Sequence, residues 1–150
     1  MEDVIELKYF DILPISQLSK LNIPFIDTHV SCGFTGFPSP AEDFRQKALS
    51  LDDYLNLKEN TTFYFRAKGE SMLELGVYDG DILIVDTTLD PMSGKMCLCR
   101  LDGELVGKMV EKRSDGMYLL SANTRIKPFK LEGETELVVF GVVTHTIKKL

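Results

Sequence analysis

Apolar and polar positions divide this chain of 150 residues into two unlike parts. From Thr61 onward, apolar runs of strand length recur, each bounded by turn residues. Residues 62–68 alternate and are rich in Phe and Tyr, and residues 81–86, Asp-Ile-Leu-Ile-Val-Asp, form a continuous apolar run after the Asp79-Gly80 turn. Residues 95–101 and 104–113 flank Asp102-Gly103, a dipeptide suited to a two-residue hairpin because both positions tolerate positive φ. Residues 117–121 and 136–148 complete a set of six strands. Short strands at this regular spacing predict a mainly β domain, either a folded sheet or a barrel.

The first part of the chain reads differently. Residues 1–30 are apolar but broken by Pro14 and Pro24, and only residues 16–21 suit a turn or two of helix. This segment is expected to be an extended arm, too short and too interrupted for a helix-turn-helix module. Residues 31–40 carry two glycines, two prolines and no periodicity, which predicts a loop. Pro40 followed by Glu42 and Asp43 predicts a helix over 41–48, because an early proline and acids in the first turn suit a helix start. A second short helix is expected over 51–57, with Ser50 as its N-cap. The expected organisation is an arm with a loop over 1–33 and a β domain over 34–150.

Composition narrows the function classes. A hydrophobic fraction of 44% fits an ordinary globular domain, and no apolar run reaches the roughly 18 residues needed to span a bilayer. The start, Met1-Glu2-Asp3-Val4-Ile5-Glu6, is acidic and lacks the basic residues of a secretory signal, so a cytoplasmic location is expected. With a net charge of −6 and only small basic groups (Lys148-Lys149, and Arg125 with Lys127 and Lys130), the chain is not expected to bind DNA directly and tightly. Cys32, Cys97 and Cys99 are odd in number, and with His29 and His145 they offer no zinc spacing. No metal or cofactor is therefore expected. Cys97 and Cys99, two apart in an alternating segment, are expected on one face of a strand.

Two residues carry candidate chemistry. Ser71 follows the first strand in Gly69-Glu70-Ser71-Met72, where a glycine allows the tight turn that presents a hydroxyl. Alone this is a common turn serine. Lys108 lies in 104–113, where a period of two puts it between Val106 and Val110, while Leu105, Gly107, Met109 and Glu111 take the other face. Both faces are largely apolar, which predicts a central strand. A lysine there either snorkels to water or is desolvated, and desolvation favours the neutral amine, a competent base for a serine hydroxyl. A serine–histidine–aspartate system would need His29, in the arm, or His145, within the last strand, and neither suits the role.

An ordered set of short segments resembles the LexA/UmuD family of self-cleaving serine–lysine peptidases. It runs from Phe37-Pro38-Ser39-Pro40-Ala41-Glu42-Asp43-Phe44, through Gly69-Glu70-Ser71-Met72 and Asp79-Gly80-Asp81-Ile82-Leu83-Ile84-Val85-Asp86, to Asp102-Gly103-Glu104-Leu105 before Lys108 and Phe140-Gly141-Val142-Val143. The likeness covers the chain from about residue 30 onward. It implies a LexA/signal-peptidase-like folded β-sheet or barrel with an extended N-terminal arm. By position it makes Ser71 similar to the family nucleophile and Lys108 to its general base, 37 positions apart as in the family. Backbone N–H groups of Ser71 and Met72 would hold the oxyanion. In the family a small residue precedes Gly at the cleaved bond, and Cys32–Gly33 fits. Thr35-Gly36-Phe37 intervenes between Phe34 and Pro38, however, so Thr35–Gly36 is the alternative register, with β-branched Thr35 the less typical residue before the cut.

The resemblance further implies a homodimer, acceleration of self-cleavage by a RecA filament on single-stranded DNA, and a processed form that joins a UmuC-like translesion polymerase in the SOS response. Signal peptidases also use serine and lysine but need a membrane anchor, and repressors of this family need a DNA-binding domain that about 30 residues cannot supply. The remaining alternative is a non-catalytic interaction subunit on a peptidase-like scaffold.

Overall fold

A computed structural model describes residues 23–26, 32–33 and 46–150 of the chain. The described residues fall into two compact units that divide between Leu57 and Lys58. In the first, β1 (Ile23–Ile26) pairs antiparallel with β2 (Gln46–Leu49), Ile23 standing opposite Leu49 and Ile26 opposite Gln46. This corrects the helix expected over 41–48. Residues 41–45 lie outside the described residues, and 46–48 belong to β2. Gln46, Lys47, Ala48 and Leu49 are all good helix formers, but four residues of propensity are a weak preference that pairing with β1 overrides. Pro24 is tolerated because a two-stranded ladder leaves each strand an open edge.

The expected helix after Ser50 is present but shorter, α1 running over Leu51–Tyr54. Ser50 occupies the N-cap with extended backbone, though its side chain makes no capping hydrogen bond. Asn56, at φ 52°, turns the chain left-handed and ends the helix before Leu57.

The second unit is one antiparallel sheet of seven strands. These are β3 (Thr62–Arg66), β4 (Ile82–Asp86), β5 (Met96–Leu101), β6 (Glu104–Arg113), β7 (Gly116–Leu120), β8 (Phe129–Lys130) and β9 (Leu137–Ile147), in spatial order β3-β4-β9-β5-β6-β7-β8. Each of the six expected strands is present within a residue or two at its ends, and two-residue β8 is the addition. Asp102 and Gly103 adopt φ of 45° and 88°, the left-handed pair that a two-residue hairpin between β5 and β6 requires.

β9 holds this sheet together. Its first half pairs with β5 and its second half with β4, and in each ladder β9 carries one extra residue, opposite Leu98/Cys99 and opposite Ile84/Val85. Such irregularities bend a strand, so one long strand serves two ladders. The alternation in β5 splits the core between the two faces of the sheet. Met96 and Leu98 join a cluster with Phe65, Met72, Val77, Leu83 and Val85, while Cys97 and Cys99 join another with Val110, Leu119 and Val142. The two buried cysteines therefore share a face, as their spacing predicts. Phe140 in β9 packs edge-on against Phe63 and Phe65 at centroid distances of 5.2 and 5.3 Å. Among the described residues no helix is long and apolar enough to cross a membrane.

Among the glycines of the sheet, Gly141 in β9 comes closest to another strand's backbone. A Cβ there would stand 2.8 Å from the Asp86 carbonyl oxygen and 2.8 Å from Val85 Cγ1. Gly141→Ala is therefore expected to destabilise the domain by about 1–3 kcal/mol, since neither backbone nor a fully buried valine can yield cheaply. A urea titration followed by circular dichroism checks this; a midpoint equal to that of the unaltered chain would show that the ladder gives way without cost.

Candidate functional site

Ser71 lies beyond β3, on a turn whose shape two neighbouring segments impose. Gly69 adopts φ +87° with open space around its Cα, so the glycine is needed for its backbone angle and not for room. Its N–H donates to Asp79 Oδ1 at 2.8 Å, which ties the serine turn to the Asp79-Gly80 turn before β4. Asp81 is buried, and its carboxylate accepts hydrogen bonds from Lys148 Nζ at 2.5 Å and from the Tyr78 N–H at 2.9 Å. The Lys148 bond and then the Tyr78 bond hold the Asp81 carboxyl below its ordinary pKa. Lys148 also rests over the Tyr78 ring, 4.2 Å from its centroid. After Ser71, Met72 is buried and a 3-10 turn over Leu73–Leu75 follows, ended by left-handed Gly76. Among the described residues, no hydrogen bond leaves the Ser71 or the Met72 N–H. Neither amide is thus committed to a hydrogen bond among the described residues.

Ser71 lines a cavity of about 500 Å³. Its walls are mostly apolar: Phe65, Leu83, Met96, Leu98 and Leu105 contribute, with Gly107 opposite the Met96 side chain. A groove of this size and polarity suits an extended apolar peptide segment.

Lys108 directly follows Gly107 in β6, which runs between β5 and β7. Leu105 and Met109 pack into one core cluster and Val106 and Val110 into the other, so the strand is covered on both faces, as its pattern predicts. Lys108 is half-buried, and burial alone pulls its pKa below the ordinary lysine value. Its Nζ donates to Ser121 Oγ at 2.7 Å, and no hydrogen bond joins it to Ser71. Ser121 is the residue that sequence reasoning missed. The signal was present in the turn at Ser114-Asp115, because pairing of Arg113 with Gly116 carries the ladder to Met109 opposite Leu120 and hence to Lys108 beside Ser121.

The other candidates separate clearly. Cys32 and Gly33 are exposed and belong to the first unit. Thr35, Gly36 and His29 lie outside the described residues. His145 is exposed in β9 and its Nδ1 lies 3.0 Å from its neighbour Thr144 Oγ1, with no carboxylate to orient it. Cys99 is pushed up to about 12 by burial, which leaves it an inert thiol. Among the described residues, no three His, Cys, Asp or Glu side chains gather as a metal-ligand group.

Comparison with known proteins gives the chain its family. Residues 24–144 match the model of the family described as Peptidase S24-like. The chain is 35% identical to Protein ImpA of Salmonella typhimurium over 120 residues, covering 76% of this chain and 77% of that one. It is 38% identical to Protein SamA of Salmonella typhimurium strain LT2 over 114 residues, 76% and 79% of the two chains. Protein MucA of Escherichia coli is 30% identical over 139 residues, 91% and 92% of the two. The family model spans both Ser71 and Lys108, and the sheet is the mainly β architecture expected of such a domain. The chain therefore belongs to the Peptidase S24-like family, among its UmuD-like members.

Proposed function

We propose that this protein is a self-cleaving serine peptidase of the SOS DNA-damage response, with Ser71 as nucleophile and Lys108 as general base. The observation that carries the reading is Lys108 itself: a half-buried lysine in a covered strand, its pKa lowered by burial and its amine bonded to Ser121, two residues before the Asn123 that bonds the Glu70 carbonyl beside Ser71. Neutral Lys108 takes the proton from Ser71 Oγ, which bonds to the Cys32 carbonyl carbon. The Ser71 and Met72 N–H groups hold the resulting oxyanion. The bond to Gly33 then breaks, the protonated lysine passes its proton to the Gly33 amine, and water releases the acyl group from Ser71. Exposure of Cys32 and Gly33 supports access to that bond.

In this reading a RecA filament on single-stranded DNA favours the cleavable conformation. Loss of the arm lets a homodimer of the processed form act in the cytoplasm as accessory subunit of a UmuC-like, error-prone translesion polymerase. Cleavage is then a switch and not digestion.

One observation favours the second reading, an interaction subunit without turnover: the Lys108 amine is engaged by Ser121 and not by Ser71. Hydrogen bonds of this kind often tighten only with substrate in place. Incubating the purified chain with RecA, single-stranded DNA and a nucleotide separates the two. Self-cleavage is expected, with a product beginning at Gly33, or at Gly36 if the alternative register holds. Ser71→Ala and Lys108→Ala should remain folded and lose roughly 10³-fold or more in rate. A Lys108→Ala chain that cuts itself at the unaltered rate removes the dyad.

The pH profile has a definite sign. Burial lowers the Lys108 pKa from its ordinary 10.5, so the uncatalysed cleavage rate should rise with pH and reach half its plateau below 10.5. The unfolded chain binds more protons at this group than the folded one between those two values, so its contribution to stability also rises with pH across that window. A rate independent of pH across the alkaline range would exclude Lys108 as the base.

A further inference from the structure

Three residues after β7, Ser121, Ala122 and Asn123, touch Lys108 on one side and the residues flanking Ser71 on the other. Ser121 Oγ accepts the hydrogen bond from Lys108 Nζ. Buried Ala122 donates its N–H to Met72 Sδ at 3.3 Å and accepts the Glu74 N–H at 2.7 Å. Asn123 Nδ2 donates to the Glu70 carbonyl oxygen at 2.8 Å, while its Oδ1 accepts the Arg125 N–H at 3.0 Å. These contacts reach back some 50 residues to Ser71's own turn.

The Asn123 bond has a geometric consequence. A peptide unit is planar and trans, so the Glu70 C=O and the Ser71 N–H lie in one plane and point in opposite directions. A donor that fixes the carbonyl also fixes the amide. The Ser121 bond acts likewise on the base: a neutral lysine has one lone pair, and anchoring one N–H at Ser121 restricts where that lone pair can aim. Loop and base would otherwise move independently, since one follows β3 and the other lies in β6.

We propose that Ser121 and Asn123 are positioning residues of the catalytic site, Ser121 orienting the Lys108 amine and Asn123 aiming the Ser71 N–H at the oxyanion. This rests on the serine–lysine reading above. Conservative substitutions separate orientation from packing. Asn123→Asp keeps the size and the acceptor for Arg125 but removes the donor to Glu70. Ser121→Thr keeps the hydroxyl, and Ser121→Ala removes it. The surroundings of Lys108 simplify the titration: the register places Cys97, a thiol whose pKa burial raises, across from it on β5, and burial is the one cause of the lysine's own shift.

The test is alkaline self-cleavage of the full chain followed against pH. Ser121→Ala should lower the plateau rate about 10- to 100-fold, and Ser121→Thr should restore it to within about threefold. Losing an acceptor of the ammonium form should move the Ser121→Ala midpoint to lower pH, whereas a loosened, wetter lysine would move it up. Asn123→Asp should lower the plateau about tenfold or more, as expected for an oxyanion defect, while its added carboxylate leaves the midpoint unmoved or raises it, since negative charge favours the ammonium form. Unaltered rates in both variants, or an upward midpoint in Ser121→Ala, overturn the proposal. If the unaltered chain does not cut itself, the peptidase reading fails, and NMR still judges the contacts. The Lys108 amine should then titrate lower in Ser121→Ala and the Ser71 amide resonance should move in Asn123→Asp; unchanged spectra overturn the positioning roles.

Discussion

The placement of β9 between β4 and β5 is the constraint on which the rest of the domain depends. The last strand in sequence runs through the middle of the sheet, so the ladder from β3 to β8 exists only once residues 137–147 have been laid in place. Both core clusters draw on it: Phe140 and Val143 pack on one face, Leu137, Val139 and Val142 on the other. Contacts of such high sequence separation cost loop-closure entropy before they return anything. The return is large here, because β4 and β5 are then paired along both edges. Gly141 marks a tight backbone contact, where a strand that serves two partners passes against the Asp86 carbonyl.

That arrangement sets the electrostatics of the site. β6 is covered because β5 and β7 flank it and apolar residues pack on both of its faces, and coverage is what lowers the Lys108 pKa. No carboxylate contributes to the shift, so the amine is tuned by desolvation alone. The serine turn is built differently, by hydrogen bonds from elsewhere in the chain. Asp79 holds Gly69, and Asn123 holds Glu70. Lys108 and the Ser71 turn are thus supported by separate means, packing for one and polar contacts for the other. The Ser121–Asn123 segment is where the two meet.

Much of the fold is legible in the residues themselves. Strand length, alternation and turn residues locate six strands, and Asp102-Gly103 marks its hairpin through a backbone preference that needs no tertiary partner. The helix expected over 41–48 shows the limit. Gln46, Lys47, Ala48 and Leu49 prefer helix locally, yet form β2, because a ladder with β1 satisfies their backbone groups and four residues of propensity cannot compete. The shorter α1 has a local cause in left-handed Asn56, but asparagine only permits that conformation and does not demand it.

For the site, sequence by itself determined which residue types were available: a serine after a glycine turn, a lysine between two valines, and the order of motifs that joins the chain to its family. Alternation along a strand is a local property, so it told correctly that β6 would be covered on both faces. It could not tell which hydroxyl the lysine would meet. That depends on the register of β7 against β6 and on the chain returning after β7 to the turn that carries Ser71. Register and return are relations between distant segments, decided by the packing of the whole sheet, and only the tertiary structure brings Ser121 to Lys108 and Asn123 to Glu70.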